Sequence, residues 1–415
     1  MTQIALSLKQ ARLVHLAAQG LLAKPRGATR DKLVDAVGRM QLLQIDTIHV
    51  VARSPYLTLF SRLGPYRSAW LDEALERGRL FETWAHEACF ATMPDYGLHR
   101  DYRAARAGHW AMRHALRMRA DHRDETDALL ARIAREGAVK ASDFERAEGA
   151  AGGGWWGWKA EKKWLEALFA VGELMIRRRE NFHRVYDLRE RVLAAAGVDD
   201  AAQQSRAADA VKRDMIARSV RALGVTPARW IADYFRLNRQ IVDAELAPLV
   251  EAGELLKVQV EGWDKPGYVH AGHAETAQRA SEGKLRATHT TLLSPFDPVV
   301  WDRLRALDFF GFDYRIECYT PEPKRRYGYF VLPILDRGRL VGRLDAKAHR
   351  REETFEVKAV FLEDGIKADA ALVEAVAGAI RDCASWHATP RVRVGRSEPR
   401  EFAAALRAAL KASDE

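Results

Sequence analysis

One pattern of hydrophobic and polar positions occurs twice along the chain. Leu165 and Gly172 recur as Leu246 and Gly253, each 81 residues later. In both copies, apolar positions at helical spacing end at a glycine suited to a left-handed helix cap, and an apolar, strand-like run follows at once. The pattern predicts two copies of one structural unit.

Each copy also predicts a β-hairpin after the capped helix. In the first copy, the polar turn Arg179–Asn181 precedes a returning strand over Phe182–Tyr186. In the second, Trp263–Gly267 precedes a strand over Tyr268–His270. The helices predicted upstream of the hairpins cover residues 125–136, 202–223 and 227–237. Helices that lead into a hairpin are typical of a winged helix, in which one helix enters a DNA groove and the hairpin contacts the backbone.

The two ends of the chain predict different structures. The elements expected near the N-terminus are a helix over 8–22 capped by Ser7, a helix over 30–40 capped by Thr29, an apolar run over 42–51 and a short helix over 54–63. The elements expected in the last third are strands over 327–335, 339–348 and 354–362, a hairpin turn at 336–338, and helices over 367–383 and 401–411.

We therefore expect a mainly α fold with β-hairpin wings and a C-terminal β-rich, barrel-like domain with a helical tail. The repeat gives two winged-helix units, and the total of three tandem units, with a related unit at the N-terminus, is what the resemblance described below implies. The expected boundaries are 1–123, 124–195 and 196–285 for the winged-helix units and 286–415 for the last domain. The 415 residues are enough for roughly three domains of about 150 residues each.

The composition is that of a basic globular chain. Hydrophobic residues make up 48%, charged residues 30%, and the formal net charge is +9. No run approaches the roughly 18 apolar residues of a membrane span, and the first residues lack a signal-peptide core, so we expect a cytoplasmic, nucleoid-associated protein without membrane contact. Cys89, Cys318 and Cys383 lie too far apart in sequence for a disulfide framework or a local zinc site. We expect no metal and no cofactor.

The positive charge is concentrated in arginine clusters. Residues 100–123 contain seven arginines against two aspartates, and Arg177–Arg179 and Lys324–Arg326 form further clusters. Guanidinium groups suit phosphate and clustered cations attract polyanions, so the clusters favour a nucleic-acid partner. Two alternatives stay open: each cluster is a solvated face balanced by acids elsewhere, or the winged helices bind protein and never contact DNA.

Several short motifs lack the context that their chemistry needs. Gly152, Gly154 and Gly157 fit the letters of a dinucleotide-binding loop, but no predicted strand precedes them and tryptophans crowd the loop. His86-Glu87 lacks the second histidine of a zinc-protease helix. No phosphate-binding loop or nucleophile elbow is present in the sequence. These enzyme classes are excluded.

The candidate chemical site is Gln44-Ile45-Asp46, within the apolar run 42–51. If the run is extended, Gln44 and Asp46 stand on one face about 7 Å apart, which is two residue rises. An amide and a carboxylate at that separation could hold a water molecule between them. On spacing alone, an alternative is that Asp46 caps a turn and Gln44 bonds to backbone.

Runs of sequence spread over nearly the whole chain resemble a known family. They cover residues 43–54, 57–66, 81–88, 155–159, 181–188, 261–263, 292–303, 311–314, 324–333 and 341–345. They are similar to the bacterial winged-helix DNA glycosylases of the crosslink-repair type, the YcaQ/AlkX group, which is related to the AlkZ enzymes. The resemblance implies three tandem winged helices, a C-terminal β-domain, and removal of N7-alkylated guanine, including the unhooking of interstrand crosslinks.

The family signature is Gln, an apolar residue, then Asp or Gln, and it falls on Gln44 and Asp46. Asp is the form of the crosslink-repair group, whereas His49 stands where asparagine is expected. The resemblance implies that Asp46 stabilises an oxocarbenium-like sugar and accepts a proton from a water that Gln44 orients. Since the motif contains no lysine, we expect hydrolysis without strand cleavage. Since crosslinked guanine is bulky, we expect an open cleft instead of a tight base-flipping pocket.

We expect a monomer that binds double-stranded DNA carrying alkylated guanine. The candidates for DNA contact are His49, Arg53, His86, Arg113, Arg117, Arg178, Trp263, Lys324, Arg325 and Arg326. For His49, Arg53 and His86 a structural role fits equally well. The main rival function is a winged-helix transcription regulator, and a further alternative is a noncatalytic scaffold; neither would depend on Asp46.

Overall fold

The structure is a computed structural model that describes residues 4–144, 160–200, 202 and 204–412. Its contacts divide the chain into two compact units: a terminal unit of residues 1–67 and 215–415, and a central unit of residues 68–214. The terminal unit contains both ends of the chain, an arrangement that was not among the four consecutive segments expected from the sequence. Those segment boundaries stay a prediction. The glycines and tryptophans at 149–157 lie outside the described residues.

The first elements of the terminal unit follow the sequence-based expectation closely. They are β1 (Ala5–Leu6), α1 (Leu8–Ala18), α2 (Arg30–Met40), β2 (Leu43–Gln44) and α3 (Ser54–Leu63). The Ser7 hydroxyl accepts the Gln10 N–H, and Gln10 Oε1 accepts the Ser7 N–H, which is a capping box. Thr29 accepts the Lys32 N–H. Both predicted N-caps are therefore confirmed.

The central unit contains helices around two small antiparallel sheets. Its elements are α4 (Ala69–Glu76), β3 (Leu80–Trp84), β4 (Ala88–Thr92), α5 (Tyr96–Ala105), α6 (Trp110–Asp121), α7 (Arg123–Glu136), β5 (Val139–Lys140), α8 (Ala160–Val171), β6 (Leu174–Glu180), β7 (His183–Leu188) and α9 (Arg189–Ala195). β3 pairs with β4. β7 lies between β5 and β6.

The remaining elements follow from residue 208 onward. They are α10 (Ala208–Leu223), β8 (Val225–Thr226), α11 (Ala228–Tyr234), α12 (Asp243–Glu251), β9 (Leu255–Val260), β10 (Gly267–His270), α13 (Ala274–Ser281), β11 (Thr290–Leu292), α14 (Arg303–Phe310), β12 (Val331–Asp336), β13 (Arg339–His349), β14 (Thr354–Leu362), α15 (Ala370–Trp386), β15 (Arg391–Glu398) and α16 (Arg400–Lys411).

The predicted repeat is present in both units. Gly172 and Gly253 have φ of +89° and +75°, in the left-handed region that favours glycine. At each helix end the same bond forms 81 residues apart, from Glu173 N–H to Leu168 O and from Glu254 N–H to Leu249 O, each at 2.9 Å. A hairpin follows each cap, and its returning strand also pairs with a short upstream strand, β5 for β7 and β8 for β10. The sequence repeat therefore corresponds to a repeated arrangement of helix, strand, helix and hairpin.

The C-terminal part is an open sheet, and the expected barrel-like closure is wrong for the residues described. The five strands run in the order β11-β12-β13-β14-β15. β15 joins parallel to β14, and α15 packs against the sheet. The whole is a mixed α and β fold and not the mainly α fold expected, because these five strands add to the hairpins. None of the described helices is long and apolar enough to cross a membrane.

Candidate active site

The candidate motif lies where β2 gives way to irregular backbone. Leu42 and Leu43 are fully buried and fix the start of the run, and Gln44 is 8% exposed. Asp46 is half-buried. Its Oδ1 accepts the Ile48 N–H at 2.8 Å, which closes a turn. Strand pairing covers only Leu43–Gln44 of the run 42–51, and beyond it the structure shows the alternative in which Asp46 closes a turn.

Gln44 is held through its backbone, while its amide oxygen has no hydrogen-bond donor among the residues that the structure describes. The Gln44 carbonyl accepts a bond from Ser54 Oγ (3.4 Å), and Ser54 Oγ accepts one from Ser294 Oγ (3.1 Å). Among the described residues, no donor lies within bonding distance of the buried Gln44 Oε1. A buried acceptor without a partner costs about 1–3 kcal/mol, so this oxygen is suited to a donor from substrate or solvent.

A buried ion pair fixes the segments around the motif. The Arg62 guanidinium of α3 donates from both Nη atoms to Asp297, with Nη2 at 2.9 Å from Oδ1, and both side chains are buried. On the other side of the motif, the Val50 carbonyl accepts the Ala348 N–H at 3.0 Å, and the Val51 carbonyl accepts a bond from Arg350. The loop between β2 and α3 is therefore tied both to residues 294–297 and to the end of β13.

Burial makes the Asp46 carboxylate a stronger base than an exposed aspartate. It raises the pKa of Asp46 above the ordinary 3.8, and the bond from the Ile48 N–H offsets only part of this rise. Burial, followed by the negative charge of Asp46, also raises the pKa of the Cys318 thiol. For Tyr319, desolvation of the hydroxyl group, then Cys318 and Asp46, raise the pKa. Asp46 thus acts electrostatically on two residues of the segment before β12.

Four basic residues cluster at the end of the motif loop. Burial, then Arg350 and Arg53, lower the pKa of His49 to about 4. Burial, then Arg350 and in smaller measure His49, lower that of His387 to about 4. Both imidazoles are therefore neutral at pH 7, chiefly because of burial, and the positive charge of the cluster lies on Arg53 and Arg350. An anion placed here would be attracted by two guanidinium groups.

Of the expected DNA contacts in the central unit, two lie at the surface. Arg113 and Arg117 are exposed, one helical turn apart on α6. His86 is 4% exposed, which favours a structural role. Arg178 forms an ion pair with Glu180 at 2.7 Å.

Another arginine of this hairpin cluster, Arg179, has a buried side chain. Arg179 is 4% exposed and binds the fully buried Glu82, which Arg184 also contacts at 2.9 Å. Although burial opposes it, the two guanidinium groups hold the pKa of Glu82 below its ordinary value. Arg179 therefore serves the packing of the central unit and is not part of an exposed basic face.

The expected contacts in the terminal unit divide in the same way. Trp263 packs edge-on against Trp230, with ring centroids 5.1 Å apart, and lies 5.8 Å from Phe309, which favours a structural role. Lys324 and Arg326 are exposed. Arg325 is partly buried and donates to the Thr320 carbonyl at 2.8 Å.

Sequence reasoning missed the residues that reach the motif from the far end of the chain. Arg350, His387, Cys318 and Tyr319 lie more than 250 residues after Asp46 in sequence, and no local pattern signals them. A cavity of about 320 Å³ is present elsewhere in the terminal unit, lined partly by Arg26, Lys32 and Arg39; neither Gln44 nor Asp46 lines it. Cys89, Cys318 and Cys383 form no disulfide with one another. The described residues contain no cluster of side chains suited to a metal ion.

A partly buried carboxylate two residues from a buried amide, with Arg53 and Arg350 near His49 further along the same loop, is compatible with hydrolysis of an anionic polymer. Comparison with known proteins identifies the class further. The family described as DNA glycosylase AlkZ-like matches residues 37–386, so the chain belongs to the AlkZ-like family of DNA glycosylases. Among solved structures, the Streptomyces sahachiroi DNA glycosylase AlkZ superposes with a TM-score of 0.62, covering 94% of this chain and 100% of that one, at 17% identity. At this identity, the match establishes a shared fold. Family membership makes DNA the substrate and DNA repair the setting.

Proposed function

We propose that the protein hydrolyses the N-glycosidic bond of N7-alkylated guanine in double-stranded DNA, including guanines joined in interstrand crosslinks. The observation that supports this proposal is the desolvated Asp46 carboxylate two residues after Gln44, whose buried amide oxygen has no donor among the described residues. Arg113 and Arg117 on α6, and the 324–326 cluster before β12, would bind the DNA backbone. We infer that the chain contains three winged helices, two of which are the repeated arrangements of helices and a hairpin.

The proposed reaction matches the residues present. Alkylation at N7 gives the guanine a positive charge, so the base leaves as a neutral molecule when the C1′–N9 bond breaks and its electron pair moves to N9. The sugar becomes oxocarbenium-like, and the negative charge of Asp46 stabilises it. A water oxygen then attacks C1′ and passes its proton to the Asp46 carboxylate. Gln44 Oε1 accepts a hydrogen bond from the other O–H of that water and so orients the water for attack.

A simple hydrolytic mechanism follows from the motif. The run 42–51 contains no lysine that could form a Schiff base with the sugar. We therefore infer a monofunctional glycosylase that leaves an abasic site and an intact strand. Trapping of a covalent enzyme–DNA adduct by borohydride would contradict this, as would strand cleavage that accompanies base release.

The proposal is tested by measuring base release from three matched duplexes. One carries a single N7-methylguanine, one a nitrogen-mustard interstrand crosslink between guanines, and one is undamaged. We expect release from the two damaged duplexes at rates well above the spontaneous rate, and none from the undamaged one. Binding to DNA without release from either damaged duplex would favour a transcription regulator, or a scaffold, over the enzyme.

A further inference from the structure

A closed loop precedes β12 in the terminal unit, and we name residues 317–328 the Glu317 loop. The Glu317 carboxylate accepts the backbone N–H groups of Arg326 (2.9 Å), Tyr327 (2.8 Å) and Gly328 (3.1 Å). Burial opposes ionisation, but these three donors hold the pKa of Glu317 below its ordinary value. One carboxylate at the start of the loop therefore fixes the three residues at its end.

The closed end of the loop is packed against the sheet. Gly328 has φ of +141°, and a Cβ built there would lie 2.3 Å from Cγ of Asp345 on β13. The Arg343 guanidinium, also on β13, lies 4.3 Å from the ring centroid of Tyr327. Because Gly328 admits no side chain and Tyr327 is stacked, the base of the loop has little freedom to move.

The loop presents an aromatic ring and cations to the surface. Tyr319 is 81% exposed, the largest value among the exposed large hydrophobic residues of the described chain. Lys324 and Arg326 are exposed on the same loop, and the bond from Arg325 Nε to the Thr320 carbonyl braces the residue after Tyr319. An exposed aromatic side chain on a braced loop loses little conformational entropy when it stacks on a ligand.

The exposed ring belongs to the neighbourhood of the candidate carboxylate. The negative charge of Asp46 acts on both Cys318 and Tyr319, so the start of the Glu317 loop and the motif share one electrostatic environment. Aromatic rings next to lysine and arginine are the combination that binds exposed nucleotide bases and their phosphates.

We propose that Tyr319 stacks on a DNA base at the lesion, next to Asp46, while Lys324 and Arg326 bind the adjoining phosphates. This contact rests on the proposed function, since the base that it binds is the alkylated guanine or its neighbour in the duplex. Glu317 is a positioning residue, because it acts on the DNA only through the loop that carries Tyr319. The loop thereby sets the distance between the damaged nucleotide and the carboxylate.

The contact is tested with a readout that needs no base release. Duplexes with 2-aminopurine beside an N7-methylguanine are titrated with Asp46→Asn protein that also carries Tyr319→Ala, Tyr319→Phe or no further change. Stacking of the reporter changes its fluorescence. We expect Tyr319→Ala to weaken binding roughly 5- to 150-fold and to abolish the change, and Tyr319→Phe to retain both. Leu304→Ala on α14 is the matched control, since Leu304 is 72% exposed and is expected to have no effect.

A double-mutant cycle tests whether Glu317 acts through Tyr319. Glu317→Ala removes the acceptor of the three N–H groups and is expected to weaken binding less than Tyr319→Ala, without adding to it in the double variant. A Tyr319→Ala protein that binds and perturbs the reporter as the parent does would overturn the proposal. Wild-type protein that releases no base, but whose reporter signal depends on Tyr319, would overturn the proposed function and leave the stacking contact supported.

Discussion

Asp46 is the residue on which the proposed chemistry depends, and its surroundings support that role. The carboxylate is half-buried, accepts one backbone N–H and lies near Cys318 and Tyr319.

Gln44 and Asp46 were identified as candidate site residues from the sequence, through the resemblance to a known family. Of the two local geometries considered, the structure shows the turn and not the extended run, because the side chain of Asp46 accepts a backbone N–H, as aspartates in turns commonly do. Residues that meet the motif from beyond position 300 could not be predicted, since only tertiary folding brings them there.

The pH dependence of the reaction reports the ionisation of Asp46. The proposed reaction needs the ionised carboxylate, and burial raises its pKa above 3.8, so the single-turnover rate should increase with pH through a value above 3.8. The measurement is enzyme-dependent base release between pH 4 and 8, after subtraction of the spontaneous rate. The residual rate of Asp46→Asn should lack this limb. A rate that stays flat from pH 4 to 8 would mean that Asp46 is not the group that must ionise.

At the scale of elements, the repeat was predictable because its signals are local. A glycine after an amphipathic helix and a short polar turn between apolar runs decide backbone conformation within a few residues. The caps at Gly172 and Gly253 and the hairpins after them follow the sequence. Three pairings were not predicted: β1 with β9, β3 with β4, and β15 with β14. Two of these are parallel pairings between distant segments, which no local pattern signals.

The same substitution, glycine to alanine, should lower the free energy of unfolding by different amounts at the two capping glycines. Gly253→Ala should destabilise the protein by about 1 kcal/mol, because φ is +75° and a Cβ meets nothing within 4 Å. Gly172→Ala should cost more, because its Cβ would lie 2.2 Å from Arg103 Nη2 and displace that guanidinium. Free energies of unfolding from denaturant titration measure both. Gly378→Ala, inside α15 with open space around it, is the control and should be neutral or slightly stabilising. Equal losses at all three positions would contradict the capping role.

At the scale of the whole molecule, both chain ends build one compact unit, and a buried ion pair joins them. Arg62 precedes the central unit in sequence and Asp297 follows it, yet they form a bidentate pair with both side chains buried. Sequence could not predict this closure, because neither residue has a local pattern that names its partner. The tandem segments expected from the repeats follow the order of motifs along the chain. The contacts group the residues differently, because they join residues 1–67 to residues 215–415.

Loss of this ion pair should be costly. Arg62→Met leaves the Asp297 carboxylate buried without its cation, for which the expected loss is about 3–5 kcal/mol in the free energy of unfolding. Lys24→Met is the matched control: its pair with Asp382 has side chains 72% and 44% exposed, so its removal should cost at most about 1 kcal/mol. Denaturant titration compares the two variants. Similar small losses from both would show that the Arg62–Asp297 pair does not hold the ends of the chain together.

The most direct test of the account is single-turnover release of N7-methylguanine by wild-type and Asp46→Asn protein. Asp364→Asn, at an exposed aspartate, serves as the control for the substitution itself. We predict that Asp46→Asn loses roughly 100-fold or more of the rate while its affinity for the damaged duplex is retained, and that Asp364→Asn releases base as the wild type does. Equal rates for wild type and Asp46→Asn would contradict the central claim, because the carboxylate would then have no part in breaking the glycosidic bond.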